Sequence, residues 1–169
     1  KELEAMMELA ASLDGPCAIR YPRGEAARIE ADAPLELGKA QRIAEGSDVD
    51  IWALGAMTEK ALEASRILKR AHIDAGVVNM AFVRPLDVEL LKSSARKTPL
   101  LVTLEDNVIT GGAGQEIDAA LINEDVKIIN IGWPDKFIEH GTCDQLYEKY
   151  GMDGASIAER IIEELERET

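Results

Sequence analysis

Apolar residues along this chain recur with two alternating periods. Over residues 2–13, Leu3, Met6, Met7, Ala10 and Leu13 fall at helical spacing, and Asp14-Gly15-Pro16 ends the run. Cys17-Ala18-Ile19 is a short strand-like stretch, followed by Arg20-Tyr21-Pro22-Arg23-Gly24. Residues 25–34 are rich in Ala, Glu and Asp, close on Pro34 and read as a linker between domains.

Beyond the linker, strand-like and helix-like runs alternate. Leu37 to Ile43 is a weakly patterned first strand turned by Glu45-Gly46, and Val49 to Gly55 is a second, buried-looking one. Thr58 is placed to cap a helix through Arg70, with Ala61, Leu62, Ser65 and Leu68 on one face. Ala75 to Met80 is a third strand. Pro85-Leu86-Asp87 opens a helix over 88–97, with Asp87 as its cap. Leu100 to Leu104 is a fourth strand, Gly111-Gly112-Ala113-Gly114 leads into a helix through Ile122, and Val126 to Ile131 is a fifth strand. Thr142 and Gln145 form a capping box for a short helix ending near Tyr150-Gly151. Asp153 caps a last helix whose apolar stripe is Ile157, Ile161, Ile162 and Leu165. The alternation predicts an α/β fold: a three-layer α/β/α sandwich on a five-stranded, mostly parallel sheet, with helices on both faces.

Composition narrows the function classes. A chain of 169 residues fits one domain and buries roughly 70% of its unfolded surface. Aromatics are only 4%, so the core is aliphatic. A net charge of −13 argues against nucleic acid and against an anionic membrane as partners. No run approaches 18 apolar residues, the length expected of a membrane span. Cys17 and Cys143 make neither a disulfide framework nor a zinc set, which points to a reducing, cytoplasmic compartment. The chain opens on Lys1 within a helical pattern, with no signal peptide, as a piece of a longer chain would, and such a piece leaves room for a targeting segment upstream.

Few residues carry candidate chemistry. Arg20 and Arg23 flank Tyr21-Pro22 after a strand-like run. Guanidinium forks fit phosphate or carboxylate, so the pair reads as an anion clamp or, as composition alone favours, as solvated surface arginines. The Gly111–Gly114 loop could cradle a phosphate on a helix N-terminus, but Glu105, Asp106 and Glu116 would repel one. A close-packed strand-to-helix turn is the better reading. Glu105 and Asp106 are adjacent, so on a strand they point to opposite faces and make a poor acid–base pair. One is expected to cap the next turn and the other to be solvated. His72 suits a helix C-terminus, and His140 is expected to pack or hydrogen-bond. Neither has a partner at metal-ligand spacing.

Several strings together resemble one family, the 1-deoxy-D-xylulose-5-phosphate synthases. Gly15 to Gly24, read GPCAIRYPRG, is similar to the family's GP-x-AIRYPRG segment, and Leu37-Gly38-Lys39-Ala40 resembles the start of its C-terminal domain. Val78 to Asp87 resembles VN-x-RF-V-K-PLD, and Val102 to Asn107 with Gly111–Gly114 resembles VTVEEN…GGxG. Ile131 to Gly141 is similar to IGLPD-x-FIEHG. The PLD and VTxE elements are shared by other transketolase-like enzymes, whereas RYPRG and IGxPDxFIEHG are more specific. Ala81 departs from the usual Arg, and Trp133 from a common Leu.

The resemblance implies a three-domain protein that joins pyruvate and D-glyceraldehyde 3-phosphate with loss of carbon dioxide, using thiamine diphosphate and magnesium. Its product feeds isoprenoid, thiamine and pyridoxal synthesis. Residues 1–24 would be the tail of the preceding pyrimidine-binding domain, 25–34 a linker, and 35–169 a transketolase C-terminal-like domain whose first strand is antiparallel at an edge. Arg23 would contact the phosphate of the aldehyde, with Arg20 and Tyr21 shaping the turn. The family's diphosphate–metal motif and cofactor-activating glutamate belong to other domains, so this chain alone is expected to bind no cofactor and to catalyse nothing. Its implied partners are the remaining domains and a second copy in a homodimer, the chain alone being monomeric or weakly dimeric. The alternatives are the C-terminal domain of a transketolase or of a 2-oxoacid dehydrogenase beta subunit, or a stand-alone, non-catalytic dimerisation domain.

Overall fold

The computed structural model describes residues 1–22 and 34–167. Among these, the strands are β1 (Gln41–Ala44), β2 (Val49–Ala53), β3 (Ala75–Asn79), β4 (Leu100–Val108) and β5 (Lys127–Trp133). The helices are α1 (Glu2–Ser12), α2 (Met57–Arg70), α3 (Val88–Lys97), α4 (Ala113–Ala120), α5 (Cys143–Tyr150) and α6 (Gly154–Glu166). They build one five-stranded sheet in the order β1-β3-β2-β4-β5. β1 runs antiparallel to β3 at the edge, and the remaining pairs are parallel. The α/β/α sandwich and its antiparallel edge strand are as expected.

Strict alternation along the strands sends side chains to two cores. Val49, Ile51 and Ala53 of β2 pack with Val77, Val102 and Ile129 against Met57, Ala61, Ala64 and Leu68 of α2 and Ile157, Ala158 and Ile161 of α6. On the other face Trp52, Val78 and Leu101 meet Leu91 and Ala95 of α3 and Ala113 and Ile117 of α4. Both faces are covered, so β2 and β3 are buried at every position, the usual state of parallel strands. Each fully buried aliphatic side chain contributes about 1.5–3 kcal/mol.

A charged group sits inside this core. Asp50, 0% exposed on β2, is gripped by the Arg42 guanidinium of β1 through Nη1 at 2.9 Å and Nη2 at 2.8 Å. Nη2 also donates to Ser94 Oγ of α3 at 2.9 Å. The hydrogen bonds to Asp50 hold the Arg42 guanidinium above its usual range against the opposing effect of burial. The fork joins β1 to a strand it does not pair with, and so fixes the edge strand on the sheet.

The predicted helix ends on 88–97, 142–151 and 153 are met. Asp87 Oδ1 accepts from Leu90 N at 3.2 Å, the capping box of Thr142 and Gln145 is closed, and Asp153 accepts from the amides of Ala155 and Ser156. Gly151 ends α5 at φ 69°, a left-handed conformation that glycine adopts without strain. Three local expectations are corrected. The first strand is shorter than 37–43, because Leu37-Gly38 form a turn and pairing begins only at Gln41 opposite Asn79. Cys17–Ile19 forms no strand, since no strand edge among the described residues receives it. Thr58 is no cap. Gly55 turns left-handed and Thr58 N already donates to the Gly55 carbonyl at 3.0 Å, so α2 starts at Met57 and Thr58 faces the core.

Candidate functional site

The C-terminal end of β4 departs from regular pairing. Leu104 lies opposite Ile131 and Val108 opposite Trp133, so the step from 104 to 108 on β4 matches the step from 131 to 133 on β5. Glu105, Asp106 and Asn107 therefore form a bulge, which takes residues out of the ladder and re-aims their side chains.

Glu105 turns inward and is 2% exposed. Its Oε2 accepts from Ala113 N at 2.9 Å and its Oε1 from Gly114 N at 3.0 Å. These are unsatisfied amides of the first turn of α4, and a carboxylate complements the positive end of the helix. A Cβ on Gly112 would stand 2.3 Å from Glu105 Oε1, so only glycine permits the approach. The phosphate-cradle reading of Gly111–Gly114 thus fails for a definite reason: the anion at this helix N-terminus is the chain's own carboxylate. The expected close-packed turn, with one carboxylate capping it, is what forms.

Asp106 is not the solvated partner expected of it. Its Oδ1 accepts from Trp133 Nε1 at 2.7 Å, and its backbone carbonyl accepts from Arg20 Nη2 at 3.0 Å. Trp133 stacks on Tyr147 with ring centroids 5.7 Å apart and meets Tyr150 edge-on at 5.4 Å. Burial pushes the Tyr147 hydroxyl upward, and the nearby Asp106 carboxylate adds to the effect. Beyond Trp133, the loop 134–141 is pinned at two points. The Lys136 ammonium lies 5.0 Å from the centroid of the Tyr150 ring, and the Tyr150 hydroxyl donates to Glu139 Oε2 at 2.7 Å. Lys149 also pairs with Glu139. Lys149, then Tyr150, holds the Glu139 carboxyl down to about 2.

Arg20, Asp106, Trp133, Lys136 and Ile138 are among the walls of a cleft of about 430 Å³ at this edge of the sheet. The cations Arg20 and Lys136 stand there with the Asp106 carboxylate among apolar walls, so the lining is mixed in charge. The structure thus places Arg20 at the strand ends, the region where open α/β sheets take ligands. Arg23 lies outside the described residues. Tyr21 is 66% exposed.

Glu105 and Asp106 are both committed to hydrogen bonds and do not form an acid–base pair. His72 adopts φ 61° after α2, where its amide donates to the Lys69 carbonyl and that of Ile73 to Leu68. It completes the helix end, as its position predicted. His140, expected to pack or hydrogen-bond, is exposed. Among the described residues no group of three or more His, Cys, Asp or Glu could hold a metal ion. A hard magnesium ion needs convergent oxygen donors. The carboxylates at this edge are taken by amides and an indole, so the described residues do not fit a magnesium-bound diphosphate. Trp133, Lys136, Tyr147 and Tyr150 were not singled out as site residues by the sequence. The one signal was Trp133 standing where a Leu is common, and its partner across the bulge leaves no mark in the residue pattern.

Comparison with known proteins places these features. Residues 38–157 match the family model of the transketolase C-terminal domain. The 1-deoxy-D-xylulose-5-phosphate synthase of Caldanaerobacter subterraneus subsp. tengcongensis is 45% identical over 166 residues, covering 96% of this chain and 27% of that protein. The enzyme of the same name from Syntrophotalea carbinolica is 42% identical, covering 95% of this chain and 26% of its own length. The chain thus spans about a quarter of the length of these relatives. Among solved structures, a split-gene transketolase, an inactive β4 tetramer, superimposes with a TM-score of 0.89 at 37% identity, covering 95% of this chain and 54% of that one. Transketolase from Campylobacter jejuni shares the fold, with a TM-score of 0.57 at 17% identity over 79% of this chain and 20% of that one. The homodimer expected from the resemblance is corrected by the split-gene neighbour, which is a tetramer. Subunit number follows from which surface patches are self-complementary, and the strings that carry the resemblance do not encode it. Among the described residues no helix is long and apolar enough to cross a membrane.

Proposed function

Because the chain belongs to the transketolase C-terminal domain family, we propose that it is the C-terminal part of a thiamine-diphosphate-dependent synthase making 1-deoxy-D-xylulose 5-phosphate from pyruvate and D-glyceraldehyde 3-phosphate. The observation that carries this reading is the 45% identity with a synthase of that name across 96% of the chain. In this reading residues 1–24 close a pyrimidine-binding domain, 25–34 link it to the next, and 35–169 are the C-terminal domain. Arg23, three residues after Arg20, would hold the phosphate of the aldehyde. Arg20 and Lys136, two cations against the one carboxylate of Asp106 in the cleft, support an anionic substrate at this edge.

The physical logic is remote binding. The aldehyde carries a dianion far from its reacting carbonyl, and gripping that dianion orients the carbonyl for attack. A planar fork does this better than lysine. When bound, thiamine diphosphate with magnesium would supply the carbanion chemistry from the other domains. On its own the chain would bind neither and catalyse nothing. The inactive state of the split-gene transketolase tetramer, a chain of which this one covers 54%, supports that part of the proposal. Cys17 and Cys143, free and exposed, support a reducing cytoplasm as its compartment.

The likeness to the split-gene transketolase, at 37% identity, favours a second reading: the C-terminal domain of a transketolase proper. One assay separates the two. The longer protein carrying this sequence is given pyruvate and D-glyceraldehyde 3-phosphate, and separately a ketose phosphate donor with the same acceptor. Release of carbon dioxide with formation of 1-deoxy-D-xylulose 5-phosphate is expected. Turnover of the ketose phosphate alone would establish the second reading instead.

A further inference from the structure

We propose that the C-terminal end of the sheet is the surface on which the rest of the longer protein packs, with Phe137 as its anchor. The inference rests on the proposed function for the identity of the occupant. This chain covers 27% of the Caldanaerobacter relative, so as a C-terminal part it is preceded by most of the longer protein.

The two ends of the sandwich differ in kind. At the end where β2 to β5 begin, the turns close on themselves through polar contacts. The amides of Ser47 and Asp48 donate to the Asp74 carbonyl at 3.1 and 3.0 Å, and the Asp74 amide donates to Asp48 Oδ2 at 2.7 Å. Lys97 pairs with Glu45, and the Arg96 guanidinium grips Glu124. Among the described residues one large apolar side chain is exposed there, Ile122.

At the end where the parallel strands finish, exposed apolar side chains gather. Leu37 lies in the turn before β1, Val83 in the loop after β3, and Phe137 in the loop after β5. Residues 1–22 meet the sandwich at this end as well. Glu2 is tied to Asn79, the last residue of β3, and Arg20 to the Asp106 carbonyl on β4. They bring Leu3, Met7 and Tyr21, all exposed. Exposed apolar side chains collected at one end mark a surface that other protein covers.

Phe137 is 104% exposed, yet its loop is held. Lys136, its neighbour, lies 5.0 Å from the centroid of the Tyr150 ring, and the Tyr150 hydroxyl and Lys149 both hold Glu139. An aromatic ring on a fixed loop gives up little freedom when it enters a pocket, as an interface anchor requires. A second copy of this chain is the poorer occupant, because each copy carries a net charge of −13 and like charges repel. The preceding part of the longer protein joins at Lys1, next to the residue that ties α1 to this end, so the linkage itself holds it close.

Hydroxyl-radical labelling of side chains, read by mass spectrometry, tests this in the chain alone and in the longer protein. Labelling of Met7 and Phe137 is expected to slow at least about tenfold in the longer protein, while Ile122 stays within about twofold. Phe137→Ser should leave thermal unfolding of the chain alone unchanged and speed labelling of Tyr21 about threefold in the longer protein. Unchanged Tyr21 labelling there would overturn the anchor role. Met7 and Phe137 labelled equally in both forms would overturn the surface. Labelling of the chain alone that falls as its concentration rises would make a second copy the occupant and overturn the proposal. The labelling does not depend on which reaction the longer protein performs. An open Phe137 in a protein that makes 1-deoxy-D-xylulose 5-phosphate sinks the surface alone, and a covered Phe137 in one that turns over only ketose phosphate sinks the synthase reading alone.

Discussion

Helices α1 and α6 display apolar residues at the same helical spacing and meet opposite fates. In α6, Ile157, Ala158 and Ile161 are each 0% exposed against the sheet and α2. In α1 no residue is buried, Leu3 is 38% exposed and Met7 60%. Residues 1–22 are tied to the sandwich by polar contacts: Asn79 donates to Glu2 at 3.1 Å, and Arg20 donates to Asp106. A helix of 11 residues is marginal in water by its own hydrogen bonds, so α1 needs a partner for its apolar side more than α6 does. Periodicity names the face a helix will bury, not the surface that will cover it. In the proposed function the cover for α1 is the rest of the preceding domain.

That contrast can be broken from the sandwich side first. Arg42→Ala strands the Asp50 carboxylate, 0% exposed, without its fork. Uncompensated buried charge predicts a loss of about 3–5 kcal/mol in chemical denaturation. A loss below about 1 kcal/mol would mean that Asp50 is reached by water. Next in size is Glu105→Ala, which removes the acceptor of two buried amides at the start of α4. About 2–3 kcal/mol should be lost, with early hydrogen exchange in the first turn of α4, and Glu105→Gln should cost less.

The loop beyond Trp133 gives a local, pH-dependent effect. Lys149 and then Tyr150 depress the Glu139 carboxyl from 4.5 to about 2. A group depressed in the folded state adds stability that is fully present above its unfolded value and is lost as pH falls through the folded one. Between pH 4.5 and about 2, then, the pinning of loop 134–141 should weaken, and a carboxyl titration by NMR should find the Glu139 midpoint well below 4.5. A midpoint near 4.5 would show the loop unpinned in solution. The smallest effect is expected on α1: Met7→Ala should change the stability of this chain by less than about 0.5 kcal/mol. A cost above about 1.5 kcal/mol would show that the α1 face is packed, and the contrast would collapse.

Most of the sandwich was legible because its signals are local. Asp87, the Thr142–Gln145 box and Asp153 each mark a helix start within four residues, and alternation marks each strand. Thr58 misled because a threonine cap and a buried threonine in the first turn look alike until the preceding Gly55 is known to turn left-handed. The bulge at Glu105–Asn107 was hidden because it depends on the count of residues on β5 opposite β4, a non-local quantity. Arg20 was legible as chemistry but not as geometry: nothing in the residue order says that its partner is a carbonyl 86 positions away.

Under the proposed function, Arg23 serves the phosphorylated substrate. Arg23→Ala in the longer protein tests it most directly, through two rates measured on one preparation. Removing one charge-assisted pair should lower kcat/KM for D-glyceraldehyde 3-phosphate by roughly 30- to 1000-fold, worth about 2–4 kcal/mol. Decarboxylation of pyruvate needs no phosphate contact and should be largely spared, and Arg23→Lys should recover only part of the loss. A change in the aldehyde's kcat/KM within about twofold, less than roughly 0.5 kcal/mol, would contradict the claim, as would an equal fall in both rates.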